Sequence, residues 1–166
     1  MASQVKKLSL SSCQAKGYPD IATRALLHFL TTPLPRNNML TCPTYALMDF
    51  DPDGINILST YKHGSIALSH ENDHLAVDTI SWLGISSKDL REEGNIIQTQ
   101  GLLKLSSRDR RKASRMLELD PFTEDGREPE WRREIQVMLM LNVKAEIQLL
   151  EAQDGGLHTW LAGQLP

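Results

Sequence analysis

The sequence predicts an α/β domain: a parallel sheet flanked by helices, with a helical C-terminal part. Three observations carry that prediction. A short apolar run, Thr44-Tyr45-Ala46-Leu47-Met48, reads as a buried strand and runs directly into the acidic stretch Asp49-Phe50-Asp51-Pro52-Asp53-Gly54. Apolar residues at helical spacing lie on both sides of that strand. Two amphipathic helical patterns then follow beyond residue 105.

Taken in order, residues 1–14 form a polar N-terminus, serine-rich and without an acidic residue. Pro19 sits where the first turn of a helix tolerates a missing N–H, and Ile21, Ala22, Ala25, Leu26, Phe29 and Leu30 fall on one face of that helix. Pro33, Pro35, Asn37 and Asn38 end it in a loop. After the acidic stretch, Pro52 suits the start of a second helix with Ile55, Leu58 and Tyr61 inward. His63-Gly64-Ser65 makes a turn, and Ile66-Ala67-Leu68 is a plausible second strand. Val77 to Ile85 is apolar, but its periodicity does not decide its type. Ser106 begins an amphipathic helix to about Leu119, with Asp109 completing a weak capping box. A further helix from Glu128 buries Trp131, Ile135, Met138 and Leu139. It breaks at Asn142, a residue type that tolerates the left-handed conformation, and Lys144 to Glu151 resumes helix.

Composition excludes several classes. A chain of 166 residues with 40% apolar and 23% charged residues is an ordinary globular domain with a real core. A net charge of −3 and a pI near 5.9 argue against a free-standing, sequence-independent DNA binder, whose affinity comes from neutralised phosphates. Two cysteines, Cys13 and Cys42, are too few for a disulfide framework and favour a reducing compartment. No apolar run approaches the roughly 18 residues of a membrane span, and no apolar stretch follows the first lysines as in a secretory signal.

Asp49 and Asp51 are the strongest chemical signal. Carboxylates two apart on extended backbone share a side, and the carboxyl end of a parallel strand is where open α/β sheets bind ligands. Paired acids repel unless a cation or proton lies between them, and hard oxygen donors suit Mg²⁺. The same residues also read as a polar turn in which Asp51 merely caps the next helix. Asp49, Asp51, Asp53 and Gly54 also fit the first six positions of an EF-hand loop, but Thr60 stands at the twelfth position in place of Glu and a strand precedes it, which argues against that reading. His70-Glu71-Asn72-Asp73-His74 matches the zinc-hydrolase motif, but that motif needs a helix and a third ligand; it reads as a surface turn, with a zinc hydrolase using His70, Glu71 and His74 the lesser alternative. Arg108, Arg110, Arg111, Lys112 and Arg115 read as a solvated helix face, and the three tryptophans as core.

Several ordered segments together resemble one family. Ala15-Lys16-Gly17-Tyr18-Pro19-Asp20-Ile21-Ala22-Thr23-Arg24 is followed by Ala46 to Gly54, Tyr61-Lys62-His63-Gly64-Ser65 and Trp82-Leu83-Gly84-Ile85. The Arg108 to Ala113 helix and the closing Lys144-Ala145-Glu146 complete the set. This pattern is similar to the Toprim domain of the meiotic DNA double-strand-break proteins, the eukaryotic relatives of the topoisomerase VI A subunit. It covers residues 15–152 and leaves 153–166 as a C-terminal tail. The resemblance implies a Toprim fold whose aspartates, here Asp49 and Asp51, hold Mg²⁺ beside DNA, with Lys16 and Arg24 as candidate phosphate contacts. It implies a transesterase that breaks DNA through a 5′-phosphotyrosyl intermediate in the nucleus, on chromosomes. It further implies a homodimer working with other meiotic break-forming proteins and with a topoisomerase VI B-like subunit. Two departures stand out. The family's catalytic Glu lies on an earlier strand, whereas no Glu or Asp occurs in residues 1–15. The winged-helix domain with its nucleophilic tyrosine has no counterpart, since Tyr18, Tyr45 and Tyr61 all lie within the Toprim-like part. The chain therefore reads as a fragment, an incomplete gene model or a degenerate form, and a non-catalytic interaction module is the rival function.

Overall fold

The computed structural model describes residues 18–32, 43–64, 74–90, 101–151 and 156–165. The expected strand at Ile66–Leu68, the loop after the first helix, Lys16, His70, Glu71 and both cysteines lie outside the described residues.

Helix α1 spans Ile21–Thr31 and is capped by Asp20, whose carboxylate accepts from the Thr23 N–H at 2.7 Å. The helix thus starts two residues later than a Pro19 in its first position suggests, because the Asp20 side chain satisfies an orphan N–H that Pro cannot. Its orientation reverses the expectation from hydrophobicity. Ile21, Leu26, Phe29 and Leu30 are each about half exposed or more, and Arg24, Leu27 and His28 turn inward instead. His28 Nδ1 fixes that orientation by bonding the Ala76 carbonyl oxygen at 2.7 Å.

Strand β1, Thr44–Met48, pairs in parallel with β2, Ile80–Gly84, in the register Thr44↔Ile80 to Met48↔Gly84. The stretch Val77 to Ile85, which periodicity left undecided, therefore carries a strand over Ile80–Gly84. Helix α2, Pro52–His63, lies in the crossover between them, as a parallel pair requires. It presents Ile55, Leu58 and Tyr61 to the core, with Ile55 and Leu58 fully buried.

A second sheet pairs β3, Leu102–Lys104, antiparallel with β4, Val143–Ala145. The latter corrects the expected helix at Lys144–Glu151. Asn142 adopts φ 55° and reverses the chain, and Ala145 then exchanges both backbone hydrogen bonds with Phe50, at 2.9 and 3.0 Å. That bridge joins the two small sheets, and only Gln148–Glu151 forms a helix, α5. The segment read as a tail carries α6, Gly156–Gln164.

Between β3 and β4 lie α3, Ser107–Met116, and α4, Pro129–Leu141. Ser106 and Asp109 form the full capping box at the head of α3. Trp131, Ile135 and Met138 of α4 enter the core beside Phe50, Leu58 and Ile85, while Leu139 packs at its edge. Glu134, buried on the same helix, accepts from the Ser87 N–H at 2.7 Å and from its hydroxyl at 2.9 Å, tying the loop after β2 to α4. Trp131 is core, as expected, and Trp82 and Trp160 pack against the same cluster. Ile135→Ala and Met138→Ala should each cost ~2–5 kcal/mol, whereas exposed Arg133→Ala should stay within ~0.5 kcal/mol. Urea denaturation measures all three; equal, negligible effects would mean the wrong helix face has been assigned to the core.

Candidate functional site

The sequence places the acidic turn where β1 ends, and packing finishes it. Met48 is the last paired residue, Phe50 points into the core with 0% exposure, and Asp49 and Asp51 on either side stay half-buried. Alternation on extended backbone thus sends the apolar residue one way and both acids the other. Each acid has one oxygen fixed by a backbone N–H. Asp49 Oδ1 accepts from Ile147 at 2.8 Å, and Asp51 Oδ1 caps α2 by accepting from Gly54 at 2.6 Å. Asp51 is therefore a helix cap, but the cap occupies a single oxygen. Gly54 is required there: a Cβ would stand 2.8 Å from the Asp49 carbonyl oxygen and 3.1 Å from Asp51 Oδ1.

Electrostatically the turn is over-supplied with negative charge. Burial raises the Asp51 pKa above the ordinary carboxylate value, and the neighbouring charges of Asp49 and Asp53 push the same way, outweighing the Gly54 hydrogen bond and the charge of Lys144. Lys144, on β4, sits 3.1 Å from Asp109 and is held more basic than usual, first by that hydrogen bond and also by the charges of Asp51 and Asp53. For Asp109 itself, burial pulls upward, but the Ser106 N–H and the Lys144 ammonium together lower its pKa. A second lysine, Lys112 of α3, forms an ion pair with Asp53. Among the described residues no group of three or more His, Cys, Asp and Glu is arranged to hold a metal ion. What the turn offers is a pair of hard oxygen donors, the second oxygens of Asp49 and Asp51.

The other sequence candidates are dispersed. Arg24, the other candidate phosphate contact, is buried on the inward side of α1, 1% exposed. His74 is exposed, and the rest of the zinc motif lies outside the described residues. Thr60 lies inside α2, so no twelve-residue calcium loop starts at Asp49. Arg108, Arg110, Arg111 and Arg115 are exposed on α3, the solvated face that the charge run suggests. Sequence reasoning missed Lys112 and Lys144 as neighbours of the acids. The former was hidden in the charge run; the latter could have been suspected from its place just beyond the Asn142 break.

Comparison with known proteins decides the lineage. The family model for the Toprim domain of the topoisomerase 6 A subunit and Spo11 matches residues 5–159. The chain belongs to this family. Among its relatives are the meiotic recombination protein SPO11-1 of Oryza sativa subsp. indica, 41% identical over 137 residues, and SPO11 of Homo sapiens, 36% identical over 144. The A subunit of DNA topoisomerase 6 from Arabidopsis thaliana is 37% identical over 138 residues. These matches cover 82%, 85% and 83% of this chain but only 33%, 34% and 30% of the respective relatives. The chain thus spans about a third of the length of the relatives it matches. The parallel β1–β2 pair between helices fits the Toprim domain of the topoisomerase 6 A/Spo11 family, as the sequence predicts.

Proposed function

We propose that this chain is the Mg²⁺-binding Toprim module of a topoisomerase-like transesterase that initiates meiotic recombination by breaking DNA in the nucleus. The observation that carries the reading is the acidic turn at the carboxyl end of β1, with two carboxylates each fixed through one oxygen and open at the other. Those donors fit the ion, since Mg²⁺ commonly takes one or two carboxylates and keeps several waters. Burial, with the neighbouring charges of Asp49 and Asp53 adding to it, raises the Asp51 pKa, a cost to the ionised carboxylate that a cation would offset. When bound there, Mg²⁺ supplies charge stabilisation on a phosphate and on its leaving oxygen. The chain's own part is to hold the two aspartates in register, through the Phe50–Ala145 bridge and the Ile147 and Gly54 N–H groups. DNA is the proposed substrate. The proposed partners of the full-length protein are a second copy, other meiotic break-forming proteins and a topoisomerase VI B-like subunit. No helix among the described residues is long and apolar enough to cross a membrane.

The attacking tyrosine is proposed to come from a winged-helix domain outside this chain. Tyr61 is 6% exposed, Tyr45 is half-buried in β1, and the Tyr18 hydroxyl accepts hydrogen bonds from Lys112 at 2.6 Å and Asn56 at 2.9 Å. Positioning without a nucleophile leaves nothing to attack the phosphate. The purified chain should therefore leave supercoiled DNA intact with Mg²⁺ or Mn²⁺, and denaturing gels should show no protein-linked ends. Cleavage that disappears in Asp49→Asn would mean that one of these tyrosines is the nucleophile.

A further inference from the structure

We infer that the groove along the outer face of α3, where it meets α2, is a docking site for an acidic segment of a partner protein that carries a large apolar side chain. The groove encloses about 480 Å³ and is walled by Arg108, Arg111, Lys112 and Arg115 of α3. Arg108, Arg111 and Arg115 stand three and four residues apart, so their side chains share one helix face over two turns, about 10 Å of axis. Met116, buried, and Leu119, half exposed, supply apolar surface at one end. No acid among the described residues lines the groove.

The cations there are not equivalent. Lys112 is occupied within the protein: its ammonium pairs with Asp53 and donates to the Tyr18 hydroxyl at 2.6 Å, and Asn56 of α2 donates to the same hydroxyl at 2.9 Å. That network fixes the wall between α2 and α3 before any ligand arrives, which lowers the ordering cost of binding. Arg110, outside the groove, is likewise held, by the Leu105 carbonyl oxygen at 2.9 Å and the Asn142 side-chain oxygen at 3.1 Å. Arg108, Arg111 and Arg115, by contrast, are exposed and make no hydrogen bond or ion pair among the described residues. Guanidinium forks of this kind match carboxylates, which they hold bidentately. The apolar end decides between anionic macromolecules. A phosphate backbone offers nothing to Met116 and Leu119, and three cations on a chain of net charge −3 give only a weak, salt-sensitive hold on duplex DNA. A peptide with Asp or Glu beside a Leu, Phe or Trp satisfies both ends, as a charged rim around an apolar anchor.

Fluorescence anisotropy of the purified chain tests this with short labelled peptides in which glutamates surround a single leucine, phenylalanine or tryptophan. At least one peptide should bind, and Arg111→Ala/Arg115→Ala should weaken it at least about tenfold. Leu119→Ser should weaken it at least about threefold, as should serine in place of the peptide's apolar residue. Exposed Arg133→Ala on α4 serves as the unaffected control. All the replaced side chains are exposed, so thermal midpoints should stay near that of the parent. Binding by none of the peptides overturns the inference, as does an affinity indifferent to Leu119→Ser or to the peptide's apolar residue. A loss in Arg133→Ala equal to that in the arginine pair does the same, because the attraction would then be a general charge effect. Displacement of the peptide by a short DNA duplex, whose own binding falls in Arg111→Ala/Arg115→Ala, would assign the groove to nucleic acid and equally overturn it.

Discussion

Phe50→Ala is expected to lower folding stability by about 3–5 kcal/mol and to weaken cation binding at the same time. Phe50 is fully buried, its ring sits in the same core cluster as Leu58, Trp131 and Met138, and its backbone exchanges two hydrogen bonds with Ala145. Truncation leaves a cavity directly beneath the turn that carries Asp49 and Asp51. Relaxation into that cavity shifts both carboxylates, because they flank the same residue. Phe50→Leu, which refills much of the volume, should cost clearly less. Urea denaturation gives the stabilities, and a loss below about 1 kcal/mol for Phe50→Ala would show that the β1–β4 junction is not part of the core.

Asp49→Asn should remove Mg²⁺ binding while leaving the fold nearly untouched. Asparagine keeps a side-chain oxygen that can accept from the Ile147 N–H, so the clamp at 2.8 Å survives. What disappears is half of the negative charge that the pair offers a hard cation. Affinity should fall at least about tenfold, equivalent to ~1.4 kcal/mol, with a thermal midpoint close to that of the parent. Asp51→Asn should behave alike, since its capping bond to Gly54 needs an oxygen but not a charge. Unchanged affinity in both variants would remove the two aspartates from consideration as ligands, and a collapsed midpoint in either would assign them a structural role.

Much of this architecture is legible in the residues themselves. The strand that runs into Asp49, the cap at Asp51 with Pro52 behind it, the capping box at Ser106 and the break at Asn142 all follow from local chemistry, and local chemistry decided them. The misreadings have one cause in common, which is that tertiary contacts outweighed periodicity. Lys144 and Ala145 look helical in isolation but are drawn into a strand by pairing with Leu102–Lys104 and Phe50. Helix α1 carries a clear apolar stripe yet turns Arg24 and His28 inward, because the Ala76 carbonyl oxygen and the packing of Leu27 set its rotation. The acids themselves could be read from their spacing. Their restraint by Lys112, which pairs with Asp53, and by the Ile147 N–H, which holds Asp49, could not, since those groups come 59 and 98 residues further along the chain.

That last separation governs when the acidic turn can exist. The strand bearing Asp49 leaves the ribosome long before Ile147 does, and the hydrogen bond between them closes a loop of 98 residues. Contacts of such range form late, after the loop-closure entropy has been overcome by the packing of the helices in between. A nascent or truncated chain ending before β4 therefore carries both aspartates without the arrangement that orders them. On the proposed Mg²⁺ role of the turn, cation affinity would thus be a property of the finished domain.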